Sequence, residues 1–263
     1  MENWLNKQIE TISDEWANSI AKYYPEHLQD WNNPDKHLKM LNEKINTFEA
    51  VKLIDWEKYL INGTKILDLG CGTGWLSAYL SQYQNVSFID ALDSDKKNLE
   101  CMLPEMVKLL DGDIKKINLV RGLFTPIQKP NGYYDIIVAS SAVHHANSLY
   151  EILPELKRVL KSGGKLFILN ETPTFFLSML NKYIKGFLGI FFNLLQNKST
   201  TNVSTYSQHG ILYDPYLGDH IYSYQQWDKA IRFAGFKYSI VHLPFGPYKG
   251  ISKGLKLKHF ICE

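Results

Sequence analysis

Cysteine is scarce in this 263-residue chain, and the three present, Cys71, Cys101 and Cys262, share no paired spacing. An odd, unpaired set builds neither a disulfide framework nor a zinc pattern, and it suits a reducing compartment. A charge excess is lacking too: 29 Lys and Arg stand against 27 Asp and Glu, a net charge of +2. Nucleic-acid binding usually shows as a clustered basic excess, so no nucleic-acid partner is expected. Residues 1–10 have no continuous apolar core, so no secretory signal is read there and the cytoplasm is expected. Repeats and low-complexity tracts are absent. What is present is ordinary globular composition, 45% hydrophobic and 21% charged, on a chain long enough for one domain with an elaboration.

The first sixty residues carry helical spacing, through Trp4, Leu5, Ile9, Ile12, Trp16 and Ile20 and again from Leu38 to Leu53. Residues 1–63 therefore read as a helical cap, from which Tyr23, Tyr24 or Trp31 could touch a ligand. From residue 64 the rhythm becomes strand–helix alternation. Strands are expected at 65–69, 86–92, 117–120, 134–139 and 165–169. Helices are expected at 74–83, at 95–110 with a kink at Pro104, and at 149–160. Such alternation implies an α/β fold, a parallel sheet with helices on both faces. Residues 172–218 break the rhythm as a long insertion, followed by a helix at 224–234 and two strands at 236–243 and 255–261. The second domain is thus read as 64–263, with a lid-like insertion at 172–218.

The run Ile66-Leu67-Asp68-Leu69-Gly70-Cys71-Gly72-Thr73-Gly74 is a strand feeding a tight glycine turn into a helix. Glycines let a ligand approach the backbone, and open amides at a helix start favour an anionic group. The dinucleotide fingerprint G-x-G-x-x-G would need glycine at 70, 72 and 75, but position 75 is Trp75. NAD is therefore not expected. A second strand ends in Asp93, placed where a carboxylate at a topological switch point could hold ribose hydroxyls. Asp90 lies inside that strand, and Asp95 reads as the start of the next helix.

The G-x-G-x-G loop preceded by Asp68 resembles motif I of the class I S-adenosylmethionine-dependent methyltransferases. The runs Tyr133 to His145 and Leu156 to Leu166 are similar to that family's fourth strand with its loop, and to its helix, glycine turn and fifth strand. The resemblance implies a doubly wound, mostly parallel seven-stranded sheet, its last strand antiparallel, with a helical insertion after the fifth strand. It implies S-adenosylmethionine as cofactor. Gly70, Gly72 and Gly74 would line the methionine moiety, with Cys71 in the same turn. Asp68 would orient the loop and favour the ligand's ammonium. Asp93 would hold the ribose, Ser94 would lie beside the adenine, and Ser140 would close the set. In place of the acidic residue many members carry near the adenine, this chain has Arg121-Gly122-Leu123-Phe124, which leaves Leu123 and Phe124 to pack on the base.

Methyl transfer depends on positioning, and an oxygen or ammonium acceptor must also lose a proton. Histidine titrates in the useful range, which singles out His220 first and then His144 and His145, with His209, Asp214 and Asp219 near them. Plain packing is the alternative for His144 and His145. No metal-ligand cluster is evident along the sequence. After the strand at 134–139 stands Ser140-Ser141-Ala142-Val143, not the Asp/Asn-Pro-Pro-aromatic run of amino-methylating nucleic-acid enzymes. A small-molecule, glycan or peptide acceptor is expected. The apolar stretch 175–195 carries Lys182, Lys185 and two glycines, so it reads as a lid helix, with peripheral membrane contact as the second reading. A non-catalytic S-adenosylmethionine-binding module, acting on a partner through the insertion, is the other functional class.

Overall fold

The computed structural model describes residues 1–23, 33–175, 213–214, 219–250 and 256–263, together with Ile184 and Leu188. The suggested contacts of the Tyr23 side chain, Tyr24 and Trp31, most of the lid at 172–218 with its His209, and most of the 175–195 stretch lie outside the described residues.

One eight-stranded sheet organises the molecule. Its strands are β1 (Glu2–Asn3), β2 (Thr64–Leu69), β3 (Val86–Asp93), β4 (Ile117–Arg121), β5 (Tyr134–Ser140), β6 (Leu160–Glu171), β9 (Tyr238–His242) and β10 (Lys258–Cys262). A separate two-stranded ladder joins β7 (Tyr213–Asp214) to β8 (Asp219–His220). The main order is β1-β4-β3-β2-β5-β6-β10-β9. Strands β1 to β6 pair in parallel, and β10 lies antiparallel between β6 and β9. The expected seven strands are therefore present with their antiparallel last member. The eighth is β1, where Glu2 and Asn3 pair with Val120 and Arg121 ahead of the first helix. Two residues with no periodicity to display leave no strand signal in sequence.

Strand β2 is the middle of the wind. The chain leaves it toward β3 and β4, then returns to its other side for β5 and β6, so the crevice beyond the carboxyl ends of β2 and β5 is a topological switch point. Both faces of the sheet are covered, which is why these strands are near-continuous apolar runs. Leu67, Leu69, Ile137 and Leu166 face helices α6 (Leu149–Val159) and α7 (Tyr224–Phe233). Ile66, Ile89, Val138 and Phe167 face the helices α2 (Pro34–Glu43), α3 (Thr47–Lys52), α4 (Trp75–Ser81) and α5 (Leu103–Leu109). The first helix, α1 (Lys7–Tyr23), is tied to the sheet by Arg121, whose guanidinium reaches Asp14 at 2.5 Å and Glu10 at 3.7 Å.

Two local differences from the sequence reading have physical causes. The helix expected over 95–110 is a π-turn at Asn98–Met102 followed by α5, whose first turn holds Pro104, the place where a residue with no N–H to donate costs least. The Ser162-Gly163-Gly164 turn ends α6 as expected, yet lies inside β6. Pairing jumps from Tyr134–Leu160 to Ile136–Lys165, and the turn is the bulge between them.

Candidate active site

The glycine turn leaves β2 with Gly70, Gly72 and Gly74 all at positive φ, +66°, +52° and +77°. A Cβ on Gly70 would stand 2.8 Å from Ala142 Cβ and 3.2 Å from the Phe124 ring, and one on Gly74 only 2.3 Å from Leu103 Cγ. Those two glycines are packing requirements. Gly72 differs: a Cβ there would meet nothing within 4 Å, so the backbone faces open space. This is the one loop position where glycine keeps an approach clear.

The loop amides are largely committed. Cys71 N–H donates to Leu92 O, Gly72 N–H to Asp93 Oδ2 at 2.8 Å, and Gly74 N–H to Cys71 O. Asp93 Oδ1 accepts from Asp95 N–H at 2.8 Å, so this carboxylate joins the loop to the start of the following turn. Asp68, at the floor, is fully buried and accepts from Ser77 Oγ at 2.6 Å. Burial, and then the nearby Asp93 charge, push its carboxyl up to about 7 against the pull of Ser77. Burial also raises Asp93, despite the two amides it accepts from. Neither carboxylate is ion-paired among the described residues, and His145 is the one favourable charge acting on Asp93. An expected anion loop is thus, in its electrostatics, a cradle for positive charge. Cys71 is buried beside these carboxylates and its thiol is pushed up by burial.

The other predicted cofactor residues lie around this loop. Ser94 O accepts from Arg121 Nε at 3.1 Å, and Gly122 N–H donates to Asp93 O. Leu123 is exposed and Phe124 packs against Gly70. Ser140 Oγ accepts from Asn170 Nδ2 at 2.8 Å. Asp90, by contrast, belongs to another network at the far side of its strand. Its oxygens accept from Tyr134 Oη and Asn118 Nδ2, and Lys129 lies 3.4 Å away. Asp95 accepts from Lys97 and Asn98 N–H and opens the turn after β3.

Beyond β5 a single 3-10 turn, Val143–His145, carries the histidine pair. Segments distant in sequence converge on it. The end of β6 delivers Glu171, and β8 delivers Asp219 and His220. Thr174 N–H donates to Tyr222 O and Tyr224 N–H to Thr174 O, while Tyr222 Oη donates to Ala146 O, so the two returning segments are laced to the turn. His144 Nδ1 lies 3.0 Å from Glu171 Oε2 and its Nε2 3.6 Å from Asp219 Oδ1. His145 Nδ1 lies 3.1 Å from the same Asp219 oxygen. Burial works against the His144 cation, but the Glu171 and Asp219 carboxylates outweigh it and raise the imidazole. Burial works against ionisation of Asp219, and the neighbouring histidines hold it below its ordinary value. A cavity of about 100 Å³ opens between His144, Glu171, Asp219, His220 and Tyr222, with Ile221 and Trp227 as its apolar side. His220 stacks on Tyr222 at 5.6 Å between ring centres.

All three predicted histidines thus fall in one cluster. The sequence reading missed Glu171 and Asn170. Their signal was the polar pair that ends the apolar run Leu166 to Leu169, since a strand end at the switch point is where a buried acid acquires work. Asn170 takes φ +60°, and its N–H donates to His259 Nδ1.

Residues 67–168 match the family described as Methyltransferase domain. The chain is 25% identical over 145 residues to a sarcosine/dimethylglycine N-methyltransferase of Aphanothece halophytica, covering 52% of this chain and 47% of that protein. It is 26% identical over 191 residues to a ubiquinone biosynthesis O-methyltransferase of Pelagibacter ubique, covering 71% and 70%. The chain therefore spans about half the length of the first relative and more of the second. Among solved structures it resembles a SAM-dependent methyltransferase from Aquifex aeolicus, with a TM-score of 0.54 at 17% identity over 91% of this chain and 98% of that one.

Proposed function

We propose that this chain, matched to the methyltransferase domain over residues 67–168, is a class I S-adenosylmethionine-dependent methyltransferase that methylates an oxygen or nitrogen of a small-molecule, glycan or peptide acceptor held at the His144–Asp219–His220 cavity. The observation that carries the reading is the open space over Gly72 beside a pair of buried carboxylates, Asp68 and Asp93, neither of them ion-paired among the described residues. A ligand with positive charge and an extended small-molecule body fits that cradle; the doubly anionic pyrophosphate of a dinucleotide does not. S-adenosylmethionine supplies an electrophilic methyl on a sulfonium. Asp68 would face the ligand's ammonium, Asp93 its ribose, Ser94, Leu123 and Phe124 its base, and Cys71 and Ser140 would close the sides.

At the acceptor wall both ring nitrogens of His144 already face carboxylates. His220 is the imidazole that takes the acceptor's proton, steadied by its stack on Tyr222. The titratable groups that line the cavity, His144, Glu171, Asp219 and His220, support turnover over a purely regulatory module, for which a wholly apolar surface would serve. Residues 1–63 act as a cap, and no described helix is long and apolar enough to cross a membrane. Calorimetry with S-adenosylhomocysteine and NAD, followed by an acceptor screen with radiolabelled cofactor, tests the reading. Binding of S-adenosylhomocysteine alone, with label transfer to one acceptor class, is expected. Tight NAD binding with no response to S-adenosylhomocysteine would sink it, and cofactor binding without any transfer would favour the module.

A further inference from the structure

We propose that His144 Nε2, His145 Nδ1 and a carboxylate oxygen of Asp219 form a binding site for one divalent transition-metal ion of the zinc class. These three donor atoms lie within 4.8 Å of one another. Two atoms bound to one tetrahedral ion at about 2.0–2.2 Å stand roughly 3.3–3.5 Å apart. The 3.1 and 3.6 Å separations from Asp219 Oδ1 to the two imidazoles bracket that spacing.

A plain ion-pair cluster would also bring these groups together, but two features fit it poorly. His145 Nδ1 is shielded from solvent and faces Asp219 Oδ1 at 3.1 Å, but off the line of a regular hydrogen bond. A hydrogen-bonded pair would align at that distance, whereas two ligands of one ion point at the ion instead of at each other. Behind His144, the carboxylate of Glu171, 3% exposed, meets Nδ1 at 3.0 Å. With an ion bound, that contact would hold the proton on Nδ1 and leave Nε2 as the ligand atom, the carboxylate–histidine support common behind metal ligands. With neutral imidazoles, the two negative charges of Glu171 and Asp219 would balance those of one dication.

Donor chemistry selects the ion. Two imidazole nitrogens and one carboxylate suit zinc and its transition-metal neighbours, while magnesium and calcium require mostly oxygen donors. Three protein ligands leave a position open toward the cavity lined by Thr172, His220 and Tyr222. On the methyl-transfer reading, that position would receive the acceptor's oxygen or nitrogen. The binding site itself stands apart from that reading.

Untagged full-length protein, stripped with a chelator and dialysed against zinc, should retain one ion per chain by elemental analysis. Cobalt(II) should give the intense visible bands of a low-coordinate site. Asp219→Asn and His145→Ala should each weaken zinc at least tenfold, and Glu171→Gln should weaken it by about 10–100-fold, as supporting carboxylates do. Affinity for S-adenosylhomocysteine, measured on each variant, reports folding and should be unchanged. A wild-type protein that retains no stoichiometric zinc or cobalt overturns the inference, as do folded variants that bind zinc like wild type. Zinc binding without S-adenosylhomocysteine binding would overturn the methyl-transfer reading and leave the metal site standing.

Discussion

The glycine turn and the histidine wall face the same crevice but are built in opposite ways. Residues 68–75 form one continuous stretch whose backbone conformation carries the job, with three positive φ values and amides bonded within the turn or to the next strand. The wall takes its side chains from three places, the turn after β5, the end of β6, and β8. The first is local geometry on rigid strands, and the second is an assembly held by tertiary contacts such as Tyr222 Oη to Ala146 O. A cofactor common to a family can be read by a fixed loop, while an acceptor particular to one chain needs a wall that can be rebuilt.

If that division is right, damage to the wall should appear in turnover and damage to the turn in affinity. The largest effect is expected at His220. His220→Ala should lower turnover by about 10²–10⁴-fold, the scale of a lost general base, with cofactor affinity retained. Single-turnover kinetics and calorimetry on the same preparation separate the two. A folded His220→Ala enzyme with wild-type turnover removes the role, and parallel loss of thermal stability and turnover makes the residue structural.

Asp90 and Asp93 sharpen the comparison within one strand. Asp90→Ala leaves Lys129 with Glu2 alone and Tyr134 Oη without its acceptor, and an unsatisfied buried hydroxyl of this kind costs about 1–3 kcal/mol. Denaturant unfolding should show that loss, with little change in cofactor affinity once the protein is folded. Asp93→Ala should do the reverse. Affinity should fall by the worth of a charge-assisted hydrogen bond, about 1.5–3 kcal/mol, with a smaller stability change from the amides of Gly72 and Asp95. Equal effects on both quantities at both sites would erase the distinction.

The turn was legible in sequence because its requirements are local. Glycine spacing, an aspartate before it and an acid at the next strand end are all visible within about 25 residues, and Trp75 sufficed to reject the dinucleotide pattern. The parallel sheet was legible for the same reason, since alternation and apolar runs are short-range signals. The wall was legible only as candidate residues. Asp219 lies far along the chain from His145, so nothing in spacing could announce that they meet, and the ligand-like cluster stayed hidden. Glu171 was hidden by its position at the end of a strand read as finished at Leu169. Strand β1 was too short to show a period, and its pairing depends on the far edge of the sheet.

The smallest effect concerns Asp68, and it runs in opposite directions for stability and for binding. In the folded protein the carboxyl lies at about 7, above its ordinary value of 3.8, because burial disfavours the charge. Between those values the native state holds a proton that the unfolded chain has released. Stability from this group is therefore full below about 3.8 and is lost as pH rises through about 7. The cofactor's ammonium favours the ionised form, so affinity should instead increase as pH rises through the same range. Below about 7, binding should also release a proton. Calorimetry in buffers of different ionisation enthalpy measures that release, and thermal unfolding between pH 5 and 8 measures the stability slope. Asp68→Asn keeps an oxygen for the Ser77 hydroxyl but cannot ionise. It should flatten both profiles by the Asp68 share, while Asp93, also raised by burial, continues to titrate in both proteins. The difference between wild type and Asp68→Asn is the decisive quantity. Identical slopes would mean that the ammonium is met elsewhere, and that the turn selects its ligand by shape and by Asp93 alone.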